Sequence, residues 1–292
     1  MRDRGARASS GAATWLRTTT ATARAGEASA TSLLLGDEQG PASSYRRQPC
    51  FGSFAGTDSG SAARSPAGAV SLYTLSITGN GRLRELEMLS AVELRRVIDD
   101  GMTTVIVPFG SVEHHGGHLP LGTDAVLADL IGREVAVRID AVLAPTVRVG
   151  CAEQHMQLSG TLTLRSETLT EVAVEIGQSL AEHRFRLIAL ISTHGGNTVP
   201  LHLAADRLNE TLRGASTCVP EGDVGPQPGR HSGEWLTSVM LAARPDLVDV
   251  QRVSEDLADE LQTATPERGA THIDRFVTAI VNGVRSHHRV GQ

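Results

Sequence analysis

Two short runs constrain this chain most, Thr103-Thr104-Val105-Ile106-Val107-Pro108-Phe109 and Leu187-Ile188-Ala189-Leu190-Ile191. Both are apolar, largely β-branched and without polar alternation. That is the composition of strands buried on both faces, and hence of a parallel sheet. Helical periods surround them. Leu89, Val92, Leu94, Val97 and Ile98 predict a helix over 90–98. Others are predicted over about 125–137, 199–212, 234–243, 255–262 and 273–281, with a further strand near 142–149. Thr168 with Glu171 reads as a capping box, and Leu169, Val172, Ala173, Ile176 and Leu180 mark the apolar face of a helix ending near His183. Strands alternating with helices of this length predict an α/β fold, its sheet mainly parallel and covered on both faces. In such sheets, sites form beyond the carboxyl ends of the strands. Both apolar runs are followed at once by polar clusters, Gly110-Ser111-Val112-Glu113-His114-His115 and Ser192-Thr193-His194-Gly195-Gly196-Asn197.

Residues 1–80 differ in character: rich in Ala, Ser, Thr, Gly and Arg, with eight Arg against five acids and no sustained period. Such a stretch cannot bury enough apolar surface to offset its ordering entropy. It reads as an unstructured leader or an upstream start, with a targeting or partner-binding arm as the alternative. All eleven His follow residue 113, so the chemistry belongs to a single domain over 81–292. The 27 basic residues, all Arg, against 33 acids give a net charge of -6, which argues against nucleic acid or an anionic membrane as partner. Cys50, Cys151 and Cys218 form no C-x-x-C pair and leave an odd count. Neither a disulfide framework nor a thiolate zinc site is expected, and the default setting is the reducing cytoplasm. No apolar run approaches the roughly 20 residues that span a bilayer.

In an extended segment residues two apart project to one side, so Glu113 and His115 can face one point. Gly116, Gly117 and Pro120 make a tight excursion that can return Asp124 to that point where a helix begins. His194, leaving its own strand at the same sheet edge, supplies a further ligand. Two imidazoles with two carboxylates suit one or two divalent metals, Zn first, with Mn or Fe(II) as alternatives. Each residue alone has an ordinary structural reading, such as a helix cap for Asp124. The combination carries the inference.

The stretch Gly110-Ser111-Val112-Glu113-His114-His115-Gly116-Gly117-His118-Leu119-Pro120-Leu121-Gly122-Thr123-Asp124 resembles the metal-binding signature of the creatininase family, G-S-x-E-Q-H-G-x-H-L-P-x-x-T-D. The segment from Val149 to Thr161 is similar to that family's second motif, His194-Gly195-Gly196-Asn197 to its third, and His231-Ser232-Gly233-Glu234-Trp235-Leu236-Thr237-Ser238 to its fourth. The motifs stand in the family's order. The resemblance implies a three-layer α/β/α sandwich, a homo-oligomer and often a hexamer, whose metal centre hydrolyses amide or cyclic amide bonds of small molecules. It places Glu113, His115, Asp124 and His194 on metal ligands, with Asp124 as the bridge when two metals are present. His231 falls on a position linked to proton transfer, while His118, Glu153, His155 and Asn197 are candidate substrate contacts.

Three departures bear on function. His114 stands where Gln is usual. Creatininase itself has a metal-binding Glu two residues after the third-motif His, where this chain has Gly196. The Glu-Thr-Ser of the fourth motif is Leu236-Thr237-Ser238, so any role of that Glu is absent or has passed to Glu234 as a second catalytic candidate. Family members act on creatinine, on a formylaminopyrimidine and on a peptide in mycofactocin maturation. The expected activity is hydrolysis of an amide, cyclic amide or formamide C–N bond. The alternatives are a mycofactocin-type peptidase and an inactive metal-binding scaffold or sensor. Nucleotide binding is disfavoured, because neither Gly-Gly turn fits a G-x-G-x-x-G or Walker pattern.

Overall fold

A computed structural model of the chain describes residues 82–225 and 229–290. The leader expected over 1–80, with Cys50, lies outside these residues. Five strands form the sheet: β1 (Arg84–Glu85), β2 (Thr104–Phe109), β3 (Val142–Leu143), β4 (Leu187–Ser192) and β5 (Ser216–Cys218). Their order is β1-β3-β2-β4-β5 and every pairing is parallel. Among the described residues the α-helices are α1 (Ala91–Asp99), α2 (Thr123–Ile139), α3 (Ser166–Glu182), α4 (Thr198–Thr211), α5 (Glu234–Ala243), α6 (Glu255–Leu261) and α7 (Pro266–Val290).

Period-two alternation of the strands sorts the core into two layers. Ile106, Leu143, Ala189 and Ile191 face α2, α5 and α7, packing with Leu127, Ile131, Met240, Phe276 and Ile280. Val105, Val107, Phe109, Ile188 and Leu190 face the other way, against Ile98, Leu169, Ala173, Leu201 and Leu208 of α1, α3 and α4. The architecture is the expected three-layer α/β/α sandwich. No helix among the described residues is long and apolar enough to cross a membrane.

Some local expectations need correction. The capping box lies at Ser90 and Glu93, where each side chain accepts from the other's backbone N–H. Thr168 caps nothing, because α3 already begins at Ser166 after an extended Arg165 and Thr168 sits within the first turn. The strand expected near 142–149 ends at Leu143 and keeps only one bridge beyond, Phe109 to Val147. Pro145 interrupts that stretch and has no N–H for a ladder. The last helix starts at Pro266, seven residues before the expected 273, since its first two turns are mostly exposed and carry little apolar signal.

Candidate metal centre

Phe109 and Ser192 are register partners at the carboxyl ends of the two central strands, so the loops that follow them leave side by side. At Gly110 a Cβ would stand 2.5 Å from Ala125 Cα, and its lack of one lets the chain leaving β2 pass against the start of α2. Glu113 N–H donates to Leu121 O at 2.9 Å, closing the loop that returns Asp124. Ser111 Oγ donates to Asp124 Oδ2 at 3.0 Å, and Thr193 Oγ1 donates to the Asp124 carbonyl at 2.7 Å. These bonds tie both loops to the helix start.

Glu113, His115, Asp124 and His194 are all buried and converge. His194 Nδ1 lies 3.1 Å from Asp124 Oδ2 and 3.3 Å from Glu113 Oε1. His115 Nε2 lies 3.4 Å from Asp124 Oδ1 and 3.7 Å from Glu113 Oε1. The other nitrogen of each ring meets a backbone carbonyl: His194 Nε2 is 2.7 Å from Cys151 O, and His115 Nδ1 is 3.1 Å from Glu113 O. A carbonyl only accepts, so those nitrogens carry the protons. The inward nitrogens are thereby oriented as lone-pair donors, the arrangement that fixes a metal-ligating histidine.

The electrostatics agree. Burial opposes charge on His194, but hydrogen bonds and charge from Asp124 and Glu113 carry its imidazole up to about 10. Burial likewise opposes charge on His115, and Asp124 and then Glu113 raise it. Burial pushes the Asp124 carboxyl up, yet His115 and His194 hold it well below the ordinary carboxylate range. A histidine proton therefore stands where a cation's charge would neutralise two buried carboxylates. Glu113 Oε2 and His115 Nε2 are buried without a hydrogen-bond partner among the described residues. Ligand atoms of Glu113, Asp124 and His194 all lie within 4.8 Å of one another. This donor set fits a divalent cation. A Cβ at Gly196 would collide with Cys151 O, so no carboxylate can enter from that position without the loop moving.

The remaining candidates divide. His231 is close: its ring stacks on His115, centroids 4.8 Å apart, and on His155 at 4.4 Å, and its Nε2 is 3.9 Å from Glu113 Oε1. Ligand atoms of Glu113, His155 and His231 form a second group within 4.8 Å. A cavity of about 300 Å³ is lined by Glu113, His115, Asp124, His194, His231 and Leu236, among others. His118, Glu153, His155, Asn197 and Glu234 are not among its lining residues. His118 is buried with Nε2 3.0 Å from Thr237 Oγ1. Asn197 clamps the loops, accepting from Cys151 N–H at 2.9 Å and donating to Gly110 O at 3.0 Å. Glu153 is exposed. The Glu234 carboxylate accepts from Arg268 and Ser238, each at 2.7 Å. His114 turns back on its own loop, its Nδ1 accepting from Gly116 N–H at 3.3 Å. Motif reading did not single out Ser111, Thr193 or the Cys151 carbonyl. Ser111 stands inside the first motif and Thr193 directly before the third, whereas a backbone oxygen leaves no mark in a sequence.

Comparison with known proteins agrees with this geometry. Residues 87–287 match the family profile described as Creatininase, creatinine amidohydrolase. The mycofactocin precursor peptide peptidase of Mycobacterium ulcerans (strain Agy99) is 34% identical over 174 residues, 56% of this chain and 67% of that protein. The creatinine amidohydrolase of Pseudomonas putida is 29% identical over 180 residues, 52% of this chain and 69% of that one. Among solved structures, a mutant creatininase of Zn–Zn type superposes with a TM-score of 0.62 at 25% identity, covering 71% of this chain and 99% of that chain. A structure described as Creatininase Mn gives a TM-score of 0.61 at 25% identity, covering 70% and 99%.

Proposed function

The chain belongs to the creatininase family, and from that membership we propose that it hydrolyses a C–N bond of an amide, cyclic amide or formamide, using one or two divalent metals held by Glu113, His115, Asp124 and His194. The observation that carries this reading is the convergence of four buried donor groups, with both imidazoles oriented by backbone carbonyls. The mixed N/O set favours Zn, with Mn or Fe(II) as alternatives, in line with related structures described as of Zn–Zn type and as Mn. A cation there supplies Lewis acidity, polarising the substrate carbonyl and acidifying water.

The chain's own groups do the rest. Asp124, held by Ser111 and by both imidazoles, fixes the ligand geometry. His231 Nε2 is 2.8 Å from the His114 carbonyl and so carries the proton of that hydrogen bond, 3.9 Å from Glu113 Oε1. The stacked His115 and His155 rings hold His231 in the cavity wall, placed to deliver a proton to a leaving nitrogen. Leu236 lines the same cavity, giving apolar contact where the family motif carries Glu.

A second reading, a peptide amide as substrate, is favoured by the 34% identity to a mycofactocin precursor peptide peptidase. We place the protein in the cytoplasm as a homo-oligomer, a hexamer by family resemblance.

The test is a panel of small amides, lactams, formamides and short peptides, assayed with metal analysis of the wild type, His231→Ala and Asp124→Ala. We expect His231→Ala to keep its metal and fold while turnover falls by roughly 10²–10⁴. Asp124→Ala should lose metal and activity together. A wild type that binds metal yet hydrolyses nothing in the panel would favour a scaffold or sensor. Full activity in His231→Ala would remove its proton-transfer role.

A further inference from the structure

A second cavity, of about 290 Å³, opens beside the first. Thr193, His194, Gly195, Val224 and Trp235 line both, so the two share a wall at the candidate metal centre. Beyond that wall the second cavity is mainly apolar, lined among others by Leu127, Ile131, Val219, Val239, Ile273 and Phe276. Four of these belong to α2 and α7, and all but Val219 are at least nine-tenths buried, so the recess is cut into the core between the sheet and its helices. Protein interiors close-pack, and a recess of this size is far larger than the gaps an ordinary core leaves. Among the described residues its polar lining beyond the shared wall is Ser192, Thr198 and Glu221, the last exposed and 3.5 Å from His202 Nε2.

We propose that this cavity is the subsite for an apolar substituent of the substrate, an aromatic ring or branched aliphatic chain joined to the amide that reacts at the metal centre. The proposal rests on the hydrolase reading above and specifies its substrate class. The shared wall puts the scissile amide and the substituent within one short molecule of each other. The apolar lining favours a neutral group through area removed from water. The same apolar lining disfavours a carboxylate tail, which would lose its hydration there without a partner. Gly195 stands on the shared wall, where a Cβ would meet nothing within 4 Å. A side chain can therefore be added at this exposed position without a clash.

Hydroxamates test this without requiring turnover, since they chelate the metal and carry a chosen tail. Acetohydroxamate, 3-methylbutanohydroxamate, phenylacetohydroxamate and a carboxylate-tailed hydroxamate of similar length are titrated into metal-loaded full-length protein. Phenylacetohydroxamate should bind about tenfold or more tighter than acetohydroxamate, and the carboxylate tail should give no such gain. Val219→Phe fills the cavity and Gly195→Leu adds bulk on the wall shared with the metal centre; each should bring the aryl-to-methyl affinity ratio to within about twofold of unity. Metal content and melting temperature are measured for both, and Gly195→Leu serves if Val219→Phe does not fold. Equal affinity across tails in the wild type, or a ratio that survives both variants, overturns the subsite. If no hydroxamate binds, the metal-centre reading is what fails. The cavity is then judged with 2-phenylethanol, whose thermal stabilisation of the wild type should be lost in Val219→Phe; no stabilisation overturns the subsite as well.

Discussion

His194 combines two states in one position. Without metal its proton bridges Asp124 and Glu113, and with metal that nitrogen has to be bare. Because its folded value is raised to about 10, the stabilisation it gives the metal-free protein is complete below about pH 6.5, the ordinary imidazole value. That contribution fades as pH climbs through the raised value. Asp124 acts at the opposite end: its depressed carboxyl contributes above the ordinary Asp value and loses that contribution as acid protonates it. Cation binding at pH 8 should therefore expel about one proton from His194, and log affinity should rise by about one per pH unit until near pH 10. Calorimetry in buffers of different ionisation enthalpy measures the proton, and none released would contradict the pairing. The four ligand candidates were legible because their spacing around two strand ends is itself a geometric statement. The outer roles were less so. Motif membership does not say where a side chain is consumed, and the Asn197 amide is taken by backbone groups of Cys151 and Gly110 while the Glu234 carboxylate is taken by Arg268.

At the scale of elements, legibility followed length and burial. β2 and β4, six residues long and each buried over five of them, stand out in the sequence, whereas β1 and β5 have two and three residues and no period to read. Caps were harder, because S-x-x-E and T-x-x-E patterns look alike until the backbone chooses which residue stays extended. Ser90 is extended and accepts from Glu93 N–H, whereas Thr168 is already helical. Ser90→Ala should thus lower stability by about 1 kcal/mol. Thr168→Ala should change it by less than about half that, since Ala has the better helix propensity and no cap is lost. Urea denaturation of both variants checks this, and equal losses would place the working cap at the wrong helix.

The whole molecule gathers its site from distant chain segments: the loop after β2, the start of α2 and the end of β4, with the Cys151 carbonyl behind. These groups meet only when the sheet has formed, so a bound cation stabilises the folded state and not the unfolded chain. At free metal near a thousand times its dissociation constant the gain is roughly 4 kcal/mol. For a folded region of this size each kcal/mol moves the melting temperature by about 2–4 °C. Chelation should therefore lower the melting point by on the order of 10 °C, and His194→Ala should melt below the chelated value without chelator, since it also loses the proton that bridges Asp124 and Glu113. The gap between loaded and chelated protein should widen from pH 7 toward pH 10, because the cation has to displace the His194 proton and that displacement costs less as pH nears the raised value. A chain beginning at Arg82 should reproduce both curves, since residues 1–80 contain no His and the family match starts only at residue 87. Melting curves that chelator leaves unmoved would remove the metal centre. A shortened chain that loses its metal would show instead that the leader helps to build the centre.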